Sequence, residues 1–141
     1  MRWIALGFVI LFAGCAAFQN APLPLEKKEK VYQADFDRTW HAVLTVLSEE
    51  KTPLRMVQKE SGMIVTDFDE ARTGTRRFQL NILVTPQSTS TKVRVNSRIE
   101  ALGPRREFGA REWIVEESTG EVEAGLFQKI EKELAPDSVR Q

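Results

Sequence analysis

The sequence predicts an α+β domain, an antiparallel β-sheet with two helices packed on one face, in the order strand, helix, four strands, helix. Three observations carry this. Phe36, Trp40, Val43, Leu44 and Leu47 recur at helical spacing, which makes one apolar stripe. Arg77 to Thr85 and Lys92 to Glu100 alternate apolar and polar residues on either side of a turn-rich Pro86-Gln87-Ser88-Thr89-Ser90. Val122, Leu126, Ile130 and either Glu133 or Leu134 make a second helical stripe, widened by Phe127 and ended by Pro136. Helices flanking a run of antiparallel strands collect on one sheet face, because only that face is greasy.

The elements follow in order. Val31-Tyr32-Gln33-Ala34 reads as a short strand. Asp35 is placed to cap the first helix, Asp37 adds favourable charge to its first turn, and the helix runs to about Glu50 before Pro53 stops it. Leu54 to Lys59 and Met63 to Phe68 form a hairpin around Glu60-Ser61-Gly62, whose glycine can take positive φ. The strands Arg77 to Thr85 and Lys92 to Glu100 form the clearest hairpin: Phe78, Leu80, Ile82, Val84, Val93, Val95 and Ile99 face one way and the polar residues the other. Ala101 to Arg111, with Gly103, Pro104, Gly109 and three arginines, reads as a loop. Trp113-Ile114-Val115 fits an early helical turn or a further short strand. Ser118-Thr119-Gly120-Glu121 fits a capping box at the start of the last helix.

Charge gives no strong steer. The 141 residues hold 20 basic and 20 acidic side chains, so no global field draws the protein to nucleic acid. A chain of this length can form one domain with a core that stands without disulfides or metal.

Residues for chemistry are few. The single histidine, His41, flanks the core-facing stripe beside Trp40 and reads as a rim or solvated residue, with no recognisable nucleophile or orienting acid. Asp67, Asp69 and Glu70 share the Asp-x-Asp spacing of calcium loops, but the glycine and distant glutamate that complete such loops are missing, so they read as a solvated acidic turn. No catalytic residues, metal or cofactor are therefore expected, and the protein reads as a non-enzyme. Arg77, Arg94 and Arg98 lie on the polar faces of neighbouring strands, with Arg105, Arg106 and Arg111 in the loop that follows. They either pair with Glu100, Glu107 and Glu112 as an ordinary polar face or meet an acidic partner, a lipid head group or a cell-wall polymer. Trp40 belongs to the core. Trp113 beside Phe108 would make an apolar patch fit for a partner protein, so Arg94, Arg98, Phe108 and Trp113 are the candidate partner-binding residues.

The amino-terminal segment carries an address. Met1-Arg2 is followed by an apolar run from Trp3 to Phe12 broken only by Gly7, and Leu11-Phe12-Ala13-Gly14-Cys15 ends in small residues before the only cysteine. The order of charged, apolar and small-residue regions is that of a secretory signal, too short for a spanning helix. Leu11 to Cys15 resembles the lipobox of bacterial lipoproteins, with Phe12 where leucine is commonest. The resemblance implies cleavage after residue 14, lipid attachment at Cys15, and palmitate or a similar acyl chain on the new amino terminus. Ala16 stands where an aspartate would retain such a protein at the inner membrane, which favours the outer membrane, facing the periplasm. Two or three acyl chains anchor stably, at about 0.8 kcal/mol per buried CH₂. Residues 15–30, with Pro22, Pro24 and the charge run Glu26 to Lys30, read as a flexible tether. Its reach is at most about 50 Å, from ~3.3–3.6 Å per residue. The domain is expected over 31–135, with 136–141 as a tail.

Phe36-Asp37-Arg38-Thr39-Trp40-His41-Ala42-Val43 and Glu60-Ser61-Gly62-Met63-Ile64, in this element order, resemble the helix-grip domains of the NlpB/BamC-type lipoproteins over about Val31 to Leu134. That resemblance implies a helix-grip-like β-α-β-β-β-β-α fold and the envelope compartment. Family members carry two such domains and a long unstructured amino-terminal segment that contacts the β-barrel assembly machine, whereas this chain has one domain and a short tether. The expected function is a lipid-anchored, non-enzymatic module that binds another envelope protein, in outer-membrane protein assembly or envelope maintenance. The alternative is a carrier holding a small apolar ligand or lipid between sheet and helix. An envelope hydrolase would require His41 in a cleft with an acid and a hydroxyl.

Overall fold

Seven antiparallel strands and three helices make up the α+β fold of the computed structural model, which describes residues 23–70, 74–105 and 107–136. The elements are α1 (Leu25–Lys28), β1 (Glu29–Tyr32), α2 (Phe36–Glu49), β2 (Leu54–Gln58), β3 (Met63–Thr66), β4 (Asp69–Glu70), β5 (Arg76–Pro86), β6 (Thr91–Leu102), β7 (Trp113–Glu116) and α3 (Glu121–Leu134). The sheet runs β1-β6-β5-β3-β2. β4 continues along β5 beyond β3, and β7 continues along β6 beyond β1.

The β5–β6 hairpin is the spine. Its register pairs Arg76 with Ala101 at one end and Pro86 with Thr91 at the other, with Ile82 opposite Val95 and Val84 opposite Val93. Side chains alternate faces along a strand, so this register gathers the β-branched residues on one side. α2 and α3 cover that side. Val43, Ile64, Val93, Val95 and Ile130 are completely buried there, with Trp40, Leu47, Leu80 and Phe127 around them. Each such side chain contributes about 1.5–3 kcal/mol by leaving water.

Local chemistry fixes the element ends. The Arg38 N–H donates to Asp35 Oδ1 at 2.8 Å, so Asp35 caps α2 as expected. Gly62 has φ of 68° and its carbonyl accepts from the Val84 N–H at 2.8 Å. A β-carbon there would sit 2.0 Å from the Val84 carbonyl oxygen, so the β2–β3 turn admits only glycine. The Tyr32 hydroxyl donates to the Phe127 carbonyl at 3.1 Å and Arg38 Nη2 donates to the Leu134 carbonyl at 2.8 Å, tying α3 to β1 and α2.

Several expectations are corrected. The ordered domain begins before Val31, because Leu25–Lys28 is helical and Glu29 and Lys30 already pair with Arg94 and Val93 of β6. Residues 15–22 of the expected tether, Cys15 and the leader lie outside the described residues, as does 137–141 of the tail. Trp113–Glu116 is a strand, and β6 runs to Leu102 to meet it. The capping box does not form: Gly120, at φ 90°, is the N-cap of α3 and offers no side chain. Ser118 reaches Glu123 instead of serving Glu121. Its hydroxyl lies 2.9 Å from Glu123 Oε2 and accepts from the Gly120 N–H at 3.1 Å. Glu123 is fully buried, and the Ser97 hydroxyl donates to it from β6 at 2.6 Å.

Candidate functional site

The helices leave the other sheet face uncovered. Alternation along β6 puts Lys92, Arg94, Asn96, Arg98 and Glu100 on it, and pairing adds Arg77, Gln79 and Leu83 from β5, Met63 and Val65 from β3, and Trp113 and Val115 from β7. Three of the four sequence-expected partner residues, Arg94, Arg98 and Trp113, thus share one surface. Phe108 does not join them. It is 89% exposed on the 103–112 loop, and no ring contact links it to Trp113 among the described residues.

Trp113 instead faces a guanidinium. Arg77 lies with its guanidinium carbon 4.3 Å from the centre of the Trp113 ring and 4.3 Å from that of Phe68. Stacking between two aromatic faces holds the charge without displacing its hydrogen bonds, because guanidinium donors point outward in the plane. Those donors reach Glu100: Arg77 Nη2 is 2.6 Å and Nε 2.8 Å from Oε2. Arg98 binds the other oxygen, with Nη2 2.8 Å and Nε 2.9 Å from Oε1. The hydrogen bond from Arg77, then the two guanidinium charges, hold the Glu100 carboxyl below its ordinary pKa against the opposing effect of burial.

A similar arrangement lies at the other end of β6. Glu29 pairs with Arg94, and Lys92 Nζ is 3.8 Å from the same oxygen. Each acid therefore serves two bases, and Glu70, opposite Arg77 in the register, adds a third acid to the face, so the four bases Arg77, Lys92, Arg94 and Arg98 stand against Glu29, Glu70 and Glu100. Arg98, with 57% of its side chain exposed, and Arg94, with 38%, present that surplus to solvent. Between the clusters the face is softer: Asn96 is exposed, and Leu83, Val65 and Met56 are half-buried. It is a basic stripe beside an apolar strip.

The remaining candidates sit elsewhere. His41 is exposed on α2 and lines none of the clefts described below. Arg111 donates to the carbonyls of Gly103, at 2.8 Å from Nε, and Leu102, at 3.2 Å from Nη2, and so closes the loop. Arg105 is exposed, while Arg106 lies outside the described residues. Asp67, Asp69 and Glu70 are split by strand geometry, since Asp69 pairs across from Phe78 and Glu70 from Arg77, so the two point to opposite faces. Among the described residues no group of three acidic, histidine or cysteine side chains could hold a metal ion, and no helix is long and apolar enough to cross a membrane.

The sequence reading anticipated the arginines and Glu100. Phe68, at the end of an expected strand, and Glu29, within an expected solvated charge run, do not stand out in the sequence. The signal for Glu29 was its place two residues before Val31 in an alternating pattern. Comparison of the chain with protein-family models and with curated protein sequences gives no match.

Proposed function

We propose that this protein is a non-enzymatic lipoprotein, anchored to the outer membrane through acylated Cys15, whose single domain binds an acidic surface of another envelope component through the uncovered sheet face. The observation that carries the reading is the sharing of Glu29 between Lys92 and Arg94, and of Glu100 between Arg77 and Arg98. A face that served only solubility would need no fixed excess of one sign. Here the guanidinium groups are held in place by carboxylates and aromatic rings, so little side-chain entropy is lost when an acidic partner docks. The lipobox-like Leu11-Phe12-Ala13-Gly14-Cys15 supports the compartment.

The filled centre of the sheet–helix layer leaves a carrier only the cleft at the layer's end, lined by Phe78, and so favours this reading over one with a central pocket. Trp40 and Val43 of α2 meet Leu80 and Ile82 of β5 with at most 3% of any of these residues exposed. The test is site-specific photo-cross-linking in the native envelope. A photoreactive residue at Asn96, on the open face, is expected to capture a protein partner, and one at Gln128, exposed on α3, is expected to capture none. Equal or absent capture from the two positions overturns the assignment of the face.

A further inference from the structure

On the helix-covered side, one end of the α2–α3 layer does not close. The chain leaves a cleft of about 250 Å³ between the end of α2, the first turns of α3 and strands β4 and β5. Its floor is apolar, built from Leu47, Phe78, Leu80, Val122 and Leu126. Its rim is acidic, with Glu50, Asp69 and Glu121 against one base, Lys129. Lys129 Nζ lies 2.6 Å from Glu50 Oε2, so that pair is neutral overall. Asp69 and Glu121 have no ion-pair partner among the described residues. A second depression of about 200 Å³, which shares Phe78, Glu121 and Val122, extends the cleft toward Ile99 and is also lined by Arg76 and Arg77, whose charges are engaged by Glu116 and Glu100.

Gly125 supplies an independent observation. It stands inside α3 and lines the cleft, and a β-carbon there would meet nothing within 4 Å. Glycine is a poor residue for a helix interior, and no close approach of backbone explains it here. A larger side chain at this position would occupy space that the cleft now leaves open. Asp69 shows the electrostatic counterpart: burial first, then the charge of Glu50, raise its pKa, so its ionised form is disfavoured.

We propose that this cleft binds a small organic cation, an alkyl- or aryl-ammonium whose apolar body lies over Phe78, Leu80, Val122 and Leu126 and whose charged head sits between Asp69 and Glu121. The apolar floor selects against a hydrated metal ion, and the acids select against a carboxylate or phosphate. A volume below the roughly 300–1,000 Å³ of drug-sized pockets restricts the ligand to a small molecule. The site lies on the opposite side of the sheet from the basic face, so it stands or falls independently of the proposed partner.

The test uses the full-length protein and n-hexylammonium as probe, followed by methyl NMR of Leu80, Val122 and Leu126, with n-hexanol and n-hexanoate as matched neutral and anionic probes. Hexylammonium is expected to give saturable shifts confined to these methyls. Its affinity should fall at least about tenfold in the double variant Asp69→Asn, Glu121→Gln, and be abolished by Gly125→Leu. Hexanol should bind more weakly and hexanoate not at all. Circular dichroism checks that both variants keep their fold; Gly125→Ala is the fallback if Gly125→Leu does not, and should weaken binding in proportion to its smaller side chain. Absence of saturable shifts with hexylammonium, hexanol binding as tightly, or unchanged affinity in the folded double variant overturns the proposal.

Discussion

The Arg77 guanidinium packs 4.3 Å from the centre of the Trp113 ring, which fastens the short strand β7 to the sheet by a side chain as well as by its backbone pairing with β6. Trp113→Ala removes one of the two aromatic faces around that charge. It is expected to lower stability by about 1–2 kcal/mol, measured by urea denaturation. Trp113→Phe, which keeps a ring, is expected to recover most of the loss. Arg77→Lys should not behave conservatively, because an ammonium cannot stack and bind Glu100 through two nitrogens at once.

Acid should loosen the same cluster. The Glu100 pKa is lowered in the folded protein, so the unfolded chain binds the proton more readily. Its stabilising contribution is complete above the ordinary carboxylate pKa and is lost as pH falls through the lower, folded value. Asp69 has the opposite sign, since its raised pKa makes the ionised form unfavourable at neutral pH. Thermal melts should therefore show Glu100→Gln losing most stability at pH 7 and little under strongly acid conditions, while Asp69→Asn gains at pH 7 and not in acid.

Gly62→Ala tests the β2–β3 turn. The new β-carbon would have to displace the Val84 carbonyl, and the left-handed backbone is itself unfavourable for alanine by about 1–2 kcal/mol. The expected result is a loss of more than about 2 kcal/mol. Hydrogen exchange at the Val84 amide, which donates to the Gly62 carbonyl, should speed up more than exchange at the centre of β6.

The buried acid of α3 gives a fourth expectation. Glu123→Ala leaves the Ser97 and Ser118 hydroxyls without their common acceptor and empties the space of a fully buried side chain. The expected destabilisation is about 2–4 kcal/mol. Glu123→Gln, which preserves shape and an acceptor oxygen, should cost less than half of that in the same urea titration.

These residues also show what a one-dimensional reading can reach. The β5–β6 alternation, the Phe36 to Leu47 stripe and Gly62 were legible because each is a local periodic or conformational constraint. Glu29 and Lys30 were not, because a charged edge strand looks like solvated chain until Arg94 and Glu131 are seen opposite it. β4 is two residues long and β7 exposes Ile114 and Val115, so neither carries a clear alternation. Glu123 breaks the binary pattern outright, since its burial depends on Ser97 of β6 as well as on Ser118 just ahead of its own helix. For the uncovered face, the arginines followed from strand alternation. The rings around Arg77 did not, because Phe68, Arg77 and Trp113 meet only through three strand pairings, β4 with β5, β5 with β6 and β6 with β7.

Acylation at Cys15 is the claim on which the envelope role depends, and metabolic labelling with radioactive palmitate, followed by membrane fractionation, tests it most directly. The protein should carry label and sediment with outer membranes, and Cys15→Ala should lose both. An unlabelled wild-type protein, or an alanine variant that still sediments with outer membranes, would contradict it.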